Sequence, residues 1–238
     1  MSEDRRVARA MAQQAVSAGE PLRWFDDLYR AADSDGAVVP WADRKVNPHL
    51  AGWSRLVDLP RGRALVIGCG YGDDAEWLAR QGWSVAAFDI SETAIAAARS
   101  RFPGSPVCYV VADLLRMPAE WTNEPFDLVV EAYTIQVLPP NSSHRVAAIR
   151  ALAPVTGRTL LVIARGRDPE DDPGAMPWPL LKSEFGPIEN AGLTEVEFED
   201  YLDDETPPTR RFRLTYERLT AQTPTAMGTG ALRASWDQ

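Results

Sequence analysis

Residues 64–91 read ALVIGCGYGDDAEWLARQGWSVAAFDIS. Four apolar residues, Ala64–Ile67, run straight into a turn of alternating glycines, Gly68-Cys69-Gly70-Tyr71-Gly72. Ala75, Leu78 and Ala79 then recur at helical spacing, a second apolar run follows at Val85–Phe88, and Asp89 closes it. Ser91 stands where a helix cap belongs, ahead of Ala94, Ile95 and Ala98. Strand, glycine turn, helix and strand in this order make a parallel βαβ unit. Its strands are continuously apolar rather than alternating, so the spacing predicts a sheet covered on both faces.

The same rhythm continues outward. Val107–Val111, Phe126–Val130 and Thr159–Ala164 read as three more strands, and Val146, Ile149 and Leu152 as the inner face of the helix between the last two. Leu193–Leu202 and Arg211–Thr220 also read as strands, but Asp203–Arg210 between them is too short for a crossover helix, so they pair antiparallel. The expectation is an α/β, doubly wound, seven-stranded and mostly parallel sheet with an antiparallel C-terminal hairpin. Upstream, Val7, Ala8, Met11 and Ala15 mark a weak amphipathic helix, and Pro21 opens a second with Leu22, Phe25, Leu28 and Tyr29 on one stripe. Asp33–Gly36 reads as a turn and Asn47-Pro48 as the start of a short helix. Residues 1–60 are therefore expected to form an N-terminal helical extension or lid, and 61–238 the main domain.

The chain has 238 residues and a formal net charge of −9, which makes nucleic acid and anionic membranes poor partners and leaves a small molecule as the expected one. No apolar run approaches the ~20 residues of a membrane span, and no signal-peptide core precedes the domain, so the cytoplasm is the expected compartment. Cys69 and Cys108 lie in or beside apolar runs and read as buried free thiols. Asp168, Glu170, Asp171 and Asp172, in the loop Arg165–Trp178, lack an ordered ligand spacing, so no metal is predicted, although a hard cation there is chemically conceivable. A homodimer is left open.

Ligands of open α/β sheets sit beyond the carboxyl ends of the strands. The turn here is G-x-G-x-G, not G-x-G-x-x-G, because Asp73 stands at the third glycine's place. Asp73 and Asp74 put negative charge at the helix start, where a pyrophosphate would have to bind. That argues against a dinucleotide and for a cofactor without phosphates. Asp89 lies about 20 residues beyond Gly68, the spacing that grips ribose hydroxyls. Asp113, ending the third strand beside Leu114, suits an adenine edge held against an apolar face. The plainer reading of either acid alone is a helix cap or a strand end.

These stretches, with VVADLLRMP and FDLVVEAYTIQVLPP further on, resemble the class I S-adenosylmethionine-dependent methyltransferases over roughly residues 60–220. The resemblance implies a Rossmann-like methyltransferase fold and S-adenosyl-L-methionine as cofactor. It carries the cofactor site onto Gly68, Gly70 and Gly72 with Cys69 among them, onto Asp89 with Ile90, onto Asp113 with Leu114, and onto Glu131 after the fourth strand. Val66 departs from the class, many of whose members have an acid there. The Gly-Asp-Asp after the turn and the upstream Trp41…Pro48…Trp53 segment are more similar to the thiopurine and thiol/halide methyltransferase branch.

A thiolate acceptor needs no base, whereas a hydroxyl does. His144 falls in the first turn of a helix opening near the expected pocket mouth, and is read as the general base, against the plainer reading of a surface histidine. Glu131 is read as a group for the methionine amine or a substrate hydroxyl, and Tyr133 as orienting the acceptor. Trp41 and Asp43 are candidate acceptor contacts, while Trp24, Trp53 and His49 read as packing. The function expected is methylation of a small polar acceptor, O-methylation of a hydroxyl ahead of S-methylation of a thiol, with a sugar among the acceptors considered. A cofactor-binding module without turnover is the non-enzymatic alternative.

Overall fold

The structure is a computed structural model and describes residues 3–20, 22–35, 39, 42 and 44–219. Its strands are β1 (Arg63–Ile67), β2 (Ser84–Asp89), β3 (Cys108–Val111), β4 (Phe126–Ala132), β5 (Thr156–Arg167), β6 (Leu180–Leu181), β7 (Thr194–Leu202) and β8 (Arg210–Glu217). The helices are α1 (Glu3–Ser17), α2 (Trp24–Asp35), α3 (Pro48–Ala51), α4 (Asp73–Arg80), α5 (Glu92–Arg101), α6 (Ala119–Asn123), α7 (Ser143–Val155) and α8 (Gly186–Asn190). The sheet runs β3-β2-β1-β4-β5-β8-β7, with the two-residue β6 paired to the end of β5. Strands β1 to β5 are parallel, while β8 runs antiparallel to both β5 and β7. This is the architecture expected from the sequence, with one extra short strand.

Alternate residues of each apolar strand feed two separate cores, as the period of two requires. Leu65, Ile67, Val129, Leu160 and Val162 pack with α7 and α8 on one face. Ala64, Val66, Leu128, Val130, Leu161 and Ile163 pack with α4 and α5 on the other. A third cluster joins α1 and α2 to α5 through Ala8, Trp24, Leu28, Tyr29 and Ala94. Ser91, the expected cap of α5, also donates through its hydroxyl to Asp26 of α2 at 2.8 Å. Trp24 and Trp53 are both buried, in the packing role read for them.

Two features of this topology place the site. The chain leaves β1 toward β2 but leaves β4 toward β5, so the loops after these neighbours diverge and open a crevice. The β7–β8 turn comes back to the same end of the sheet, because Arg211 pairs with Arg165 near the carboxyl end of β5. Leu202 pairs with Arg210 across that turn.

Local expectations are corrected in three places. Cys108 is exposed, not buried, because it begins the edge strand β3. Helix α2 runs on to Asp35, over the first three residues of the turn expected at 33–36; Gly36 lies outside the described residues. Strand β5 extends to Arg167, so the following loop starts later than Arg165.

Candidate active site

A cavity of about 650 Å³ occupies the crevice, within the range of small-molecule sites. Its floor is the turn after β1. Gly68 has φ of +60° and abuts β4's exit loop so closely that a Cβ would collide with Thr134 Oγ1. The Gly70 amide donates to Asp89 Oδ2 and the Ser91 amide to Asp89 Oδ1, each at 2.9 Å. Asp89 is buried but lines the cavity, and no cation pairs with it among the described residues. Burial raises its pKa against these amide bonds. Each carboxylate oxygen has a second acceptor site, so Asp89 still has capacity for ligand hydroxyls. Asp113 holds its loop by accepting from the Leu115 amide at 2.8 Å, with apolar Ile90 and Leu114 beside it in the wall.

The start of α4 is acidic. Asp73 forms a two-point pair with Arg101, both bonds 2.9 Å. Asp74 accepts from the Asn47 amide at 2.7 Å, and burial pushes its carboxyl up to about 6. Burial likewise raises the Cys69 thiol, which keeps it protonated and a poor nucleophile.

A second group of side chains completes the cavity wall. Tyr133, just past β4, has φ of +70°, a strained value for a bulky residue. The Arg211 guanidinium lies 4.8 Å from its ring centre. Arg211 is buried and held by Asp203 at 2.6 Å and Glu205 at 2.7 Å. His49 meets Tyr133 edge-on at 6.5 Å, and its Nδ1 lies 2.8 Å from Tyr201 Oη. Its backbone is fixed at both ends: the amide donates to Asn47 Oδ1, and the carbonyl accepts from Arg213. Burial, with Arg211 next, lowers the His49 pKa, so the imidazole is neutral at pH 7.

The cavity thus brings together Gly68, Cys69, Gly70, Asp89, Ile90, Asp113, Leu114 and Tyr133 from the residues expected there. Others lie elsewhere. Gly72 caps α4 with φ of +89° against the Tyr109 phenol, outside the cavity wall. Glu131 is fully buried behind the wall. Its Oε1 accepts from the Thr134 and Ile135 amides at 2.7 and 3.0 Å, so it shapes the β4 exit loop rather than facing a ligand. His144 lies in the first turn of α7, behind the Ser142 cap, and is not among the wall residues. Trp41 and Asp43 lie outside the described residues. His49, read as packing, is in the wall. The only sequence signal for it was its place after Asn47-Pro48; its partners Tyr201 and Arg213 are more than 150 residues away.

Residues 64–156 match the family model of a methyltransferase domain. Sheet order, glycine turn and match together make this core similar to the class I S-adenosylmethionine-dependent methyltransferase domains. Within that class the chain stands near the thiol methyltransferases. It is 33% identical over 95 residues to thiocyanate methyltransferase 1 of Arabidopsis thaliana, covering 40% of this chain and 42% of that protein. It is 33% identical over 98 residues to a protein of the same plant named "Probable thiol methyltransferase 2", covering 41% and 43%. The chain therefore matches less than half the length of these relatives. Among solved structures, the N-methyltransferase NodS of Bradyrhizobium japonicum, in complex with S-adenosylhomocysteine, aligns with a TM-score of 0.63 at 19% identity, covering 81% of this chain and 99% of that one. At that identity the likeness is one of fold.

S-adenosylmethionine, the cofactor of the class, fits the residues present. Gly68 and Gly70 line the cavity, the space beside each being taken by Thr134 and Tyr29, while Asp89 offers uncompensated acceptor capacity and Ile90 and Leu114 give an apolar face. The acids opening α4 would repel a pyrophosphate but not an uncharged adenosyl group. Among the described residues, no group of three or more His, Cys, Asp or Glu is placed to hold a metal ion, and no helix is long and apolar enough to cross a membrane.

Proposed function

We propose that the protein is a methyltransferase that binds S-adenosylmethionine over the Gly68–Gly70 turn and methylates a small-molecule acceptor, a thiol foremost. One observation carries this reading: a single cavity is lined both by the Gly68, Asp89 and Asp113 set and by the Tyr133, His49 and Arg211 set. The first set fits a nucleoside sulfonium; the second is a polar chamber suited to a nucleophile. Asp89 would hold the ribose, and Asp113 with Leu114 the adenine. When bound, the cofactor supplies an electrophilic methyl whose C–S bond breaks with its electron pair going to sulfur. The chain's own part is positioning, because alignment of nucleophile and methyl supplies most of the barrier reduction in such a displacement. Tyr133 is suited to that part: its backbone is locked by the Glu131-held loop and its ring lies under the Arg211 guanidinium.

The thiol is favoured over other nucleophiles by the similarity to proteins named for thiocyanate and thiol methylation. A hydroxyl acceptor is the second reading, favoured by the neutral imidazole in the wall. The sugar reading leaned on Trp41 and Asp43 and gains no support from the described residues. The test is calorimetry with S-adenosylmethionine, followed by transfer of an isotopically labelled methyl to 2-mercaptoethanol. Binding and labelled thioether are expected. An absence of binding at millimolar cofactor would overturn the reading.

A further inference from the structure

His49 is the feature that methyl transfer to an anion would leave idle. Thiocyanate and halide ions carry no proton, so a site built for them has no use for a base. This site has a neutral imidazole in its wall, fixed on three sides. Tyr201 Oη sits 2.8 Å from Nδ1, the Asn47 side chain takes the backbone amide at 2.9 Å, and Arg213 takes the carbonyl at 2.9 Å. The side chain that faces it, Tyr133, belongs to the loop that abuts Gly68, because Thr134 is the residue a Cβ at Gly68 would strike. The imidazole therefore stands at the junction of the cofactor turn and the acceptor chamber.

Resting on the methyltransferase reading above, we infer that His49 is a catalytic base and that the acceptor is bound in its protonated form, as a neutral thiol or hydroxyl rather than as a preformed anion. This role requires the tautomer in which Nδ1–H donates to Tyr201 Oη, which makes the Nε2 lone pair the one that accepts the proton. The acceptor's X–H proton passes to Nε2 while an X lone pair forms the new X–C bond. The methyl's bond to sulfur breaks onto sulfur, and the imidazolium returns its proton to water after release. Charge is conserved: the sulfonium's positive charge leaves as the proton.

The groups around His49 poise it for this. Arg211 and Arg213 on β8 disfavour imidazolium, while Asp203 and Asp204 in the β7–β8 turn favour it. Tyr201 on β7 and Tyr133 after β4 contribute neutral phenols. Burial adds to the arginines, and the sum keeps the ring neutral and able to accept.

The experiment compares wild type, His49→Gln and Tyr201→Phe with two probes, 2-mercaptoethanol and sodium thiocyanate. Calorimetric affinity for S-adenosylmethionine and an NMR titration of the His49 ring serve as readouts apart from turnover. His49→Gln is expected to lower thiol methylation ~10²-fold or more beyond any change in the thiocyanate rate, with cofactor affinity within about twofold. The wild-type thiol rate should rise with pH through the NMR-measured His49 pKa, and the variant should lose that limb. Tyr201→Phe should show a smaller fall with thiol only. Equal losses with both probes, or no loss with thiol, would overturn the inference and leave the methyltransferase reading standing. So would wild-type activity on thiocyanate alone. Cofactor binding with transfer to neither probe would instead overturn the small-thiol reading, and this inference with it.

Discussion

Glu131 offers a test of the site that needs no substrate. Its carboxyl is fully buried, Oε1 is shared by two loop amides, and Oε2 has no partner among the described residues. Burial dominates over the two amide bonds and pushes its pKa from 4.5 up to about 7. In the unfolded chain the proton leaves near the ordinary value. Between those values the folded protein still holds a proton that the unfolded chain has released, so raising the pH drives unfolding. The full cost is about 3 kcal/mol, at ~1.4 kcal/mol per tenfold change in proton affinity, and about 2.5 kcal/mol of it falls between pH 5 and 8. Glu131→Gln keeps an oxygen for the two amides and removes the titration. Urea unfolding of both proteins at pH 5 and pH 8 should therefore show the variant gaining about 2.5 kcal/mol on wild type across that interval. Cofactor affinity should stay within a few-fold, because Glu131 faces away from the cavity. A stability difference flat to within about 0.5 kcal/mol between the two pH values would refute the buried, unpaired carboxyl. A large loss of affinity would return Glu131 to the cofactor.

Three further outcomes follow from the same geometry. Asp89→Asn should weaken S-adenosylmethionine binding by roughly 10- to 100-fold in calorimetry, the cost of losing hydrogen bonds to a charged acceptor, and unchanged affinity would mean the ribose is held elsewhere. Gly72→Ala forces a side chain to φ of +89° and into the Tyr109 phenol, which itself donates to Glu76 at 2.8 Å; a loss of about 2 kcal/mol or more in urea unfolding is expected. His144→Gln should leave thiol turnover within about twofold of wild type, since His144 is not in the cavity wall; a fall of ~10²-fold would restore it as the base.

The Gly68–Asp89–Asp113 part of the cavity was legible because its parts are local. A glycine turn after one apolar strand and an acid closing the next are set by the chain's own βαβ geometry, and Asp89 reaches Gly70 across adjacent parallel strands. Gly72 and Glu131 belong to the same local signature, and what misled there was direction. A glycine is needed wherever φ is positive, whether the open side faces a ligand or, as at Gly72, a tyrosine. An acid after a strand can turn back to hold its own loop, as Glu131 does. The Tyr133–His49–Arg211 part was not legible, because it is assembled from segments remote in sequence. His49 sits on a four-residue helix, and its role depends on Tyr201 and Arg213 from the two antiparallel strands at the far edge of the sheet. Only the insertion of β8 between β5 and β7 brings the 203–205 turn and Arg211 to the cavity mouth. That dependence has a consequence for specificity. On the proposed function, the Rossmann-like core would fix the donor, whereas the β7–β8 hairpin and the segment 44–50 would set the chemistry of the acceptor, apart from the Gly68–Asp89 unit.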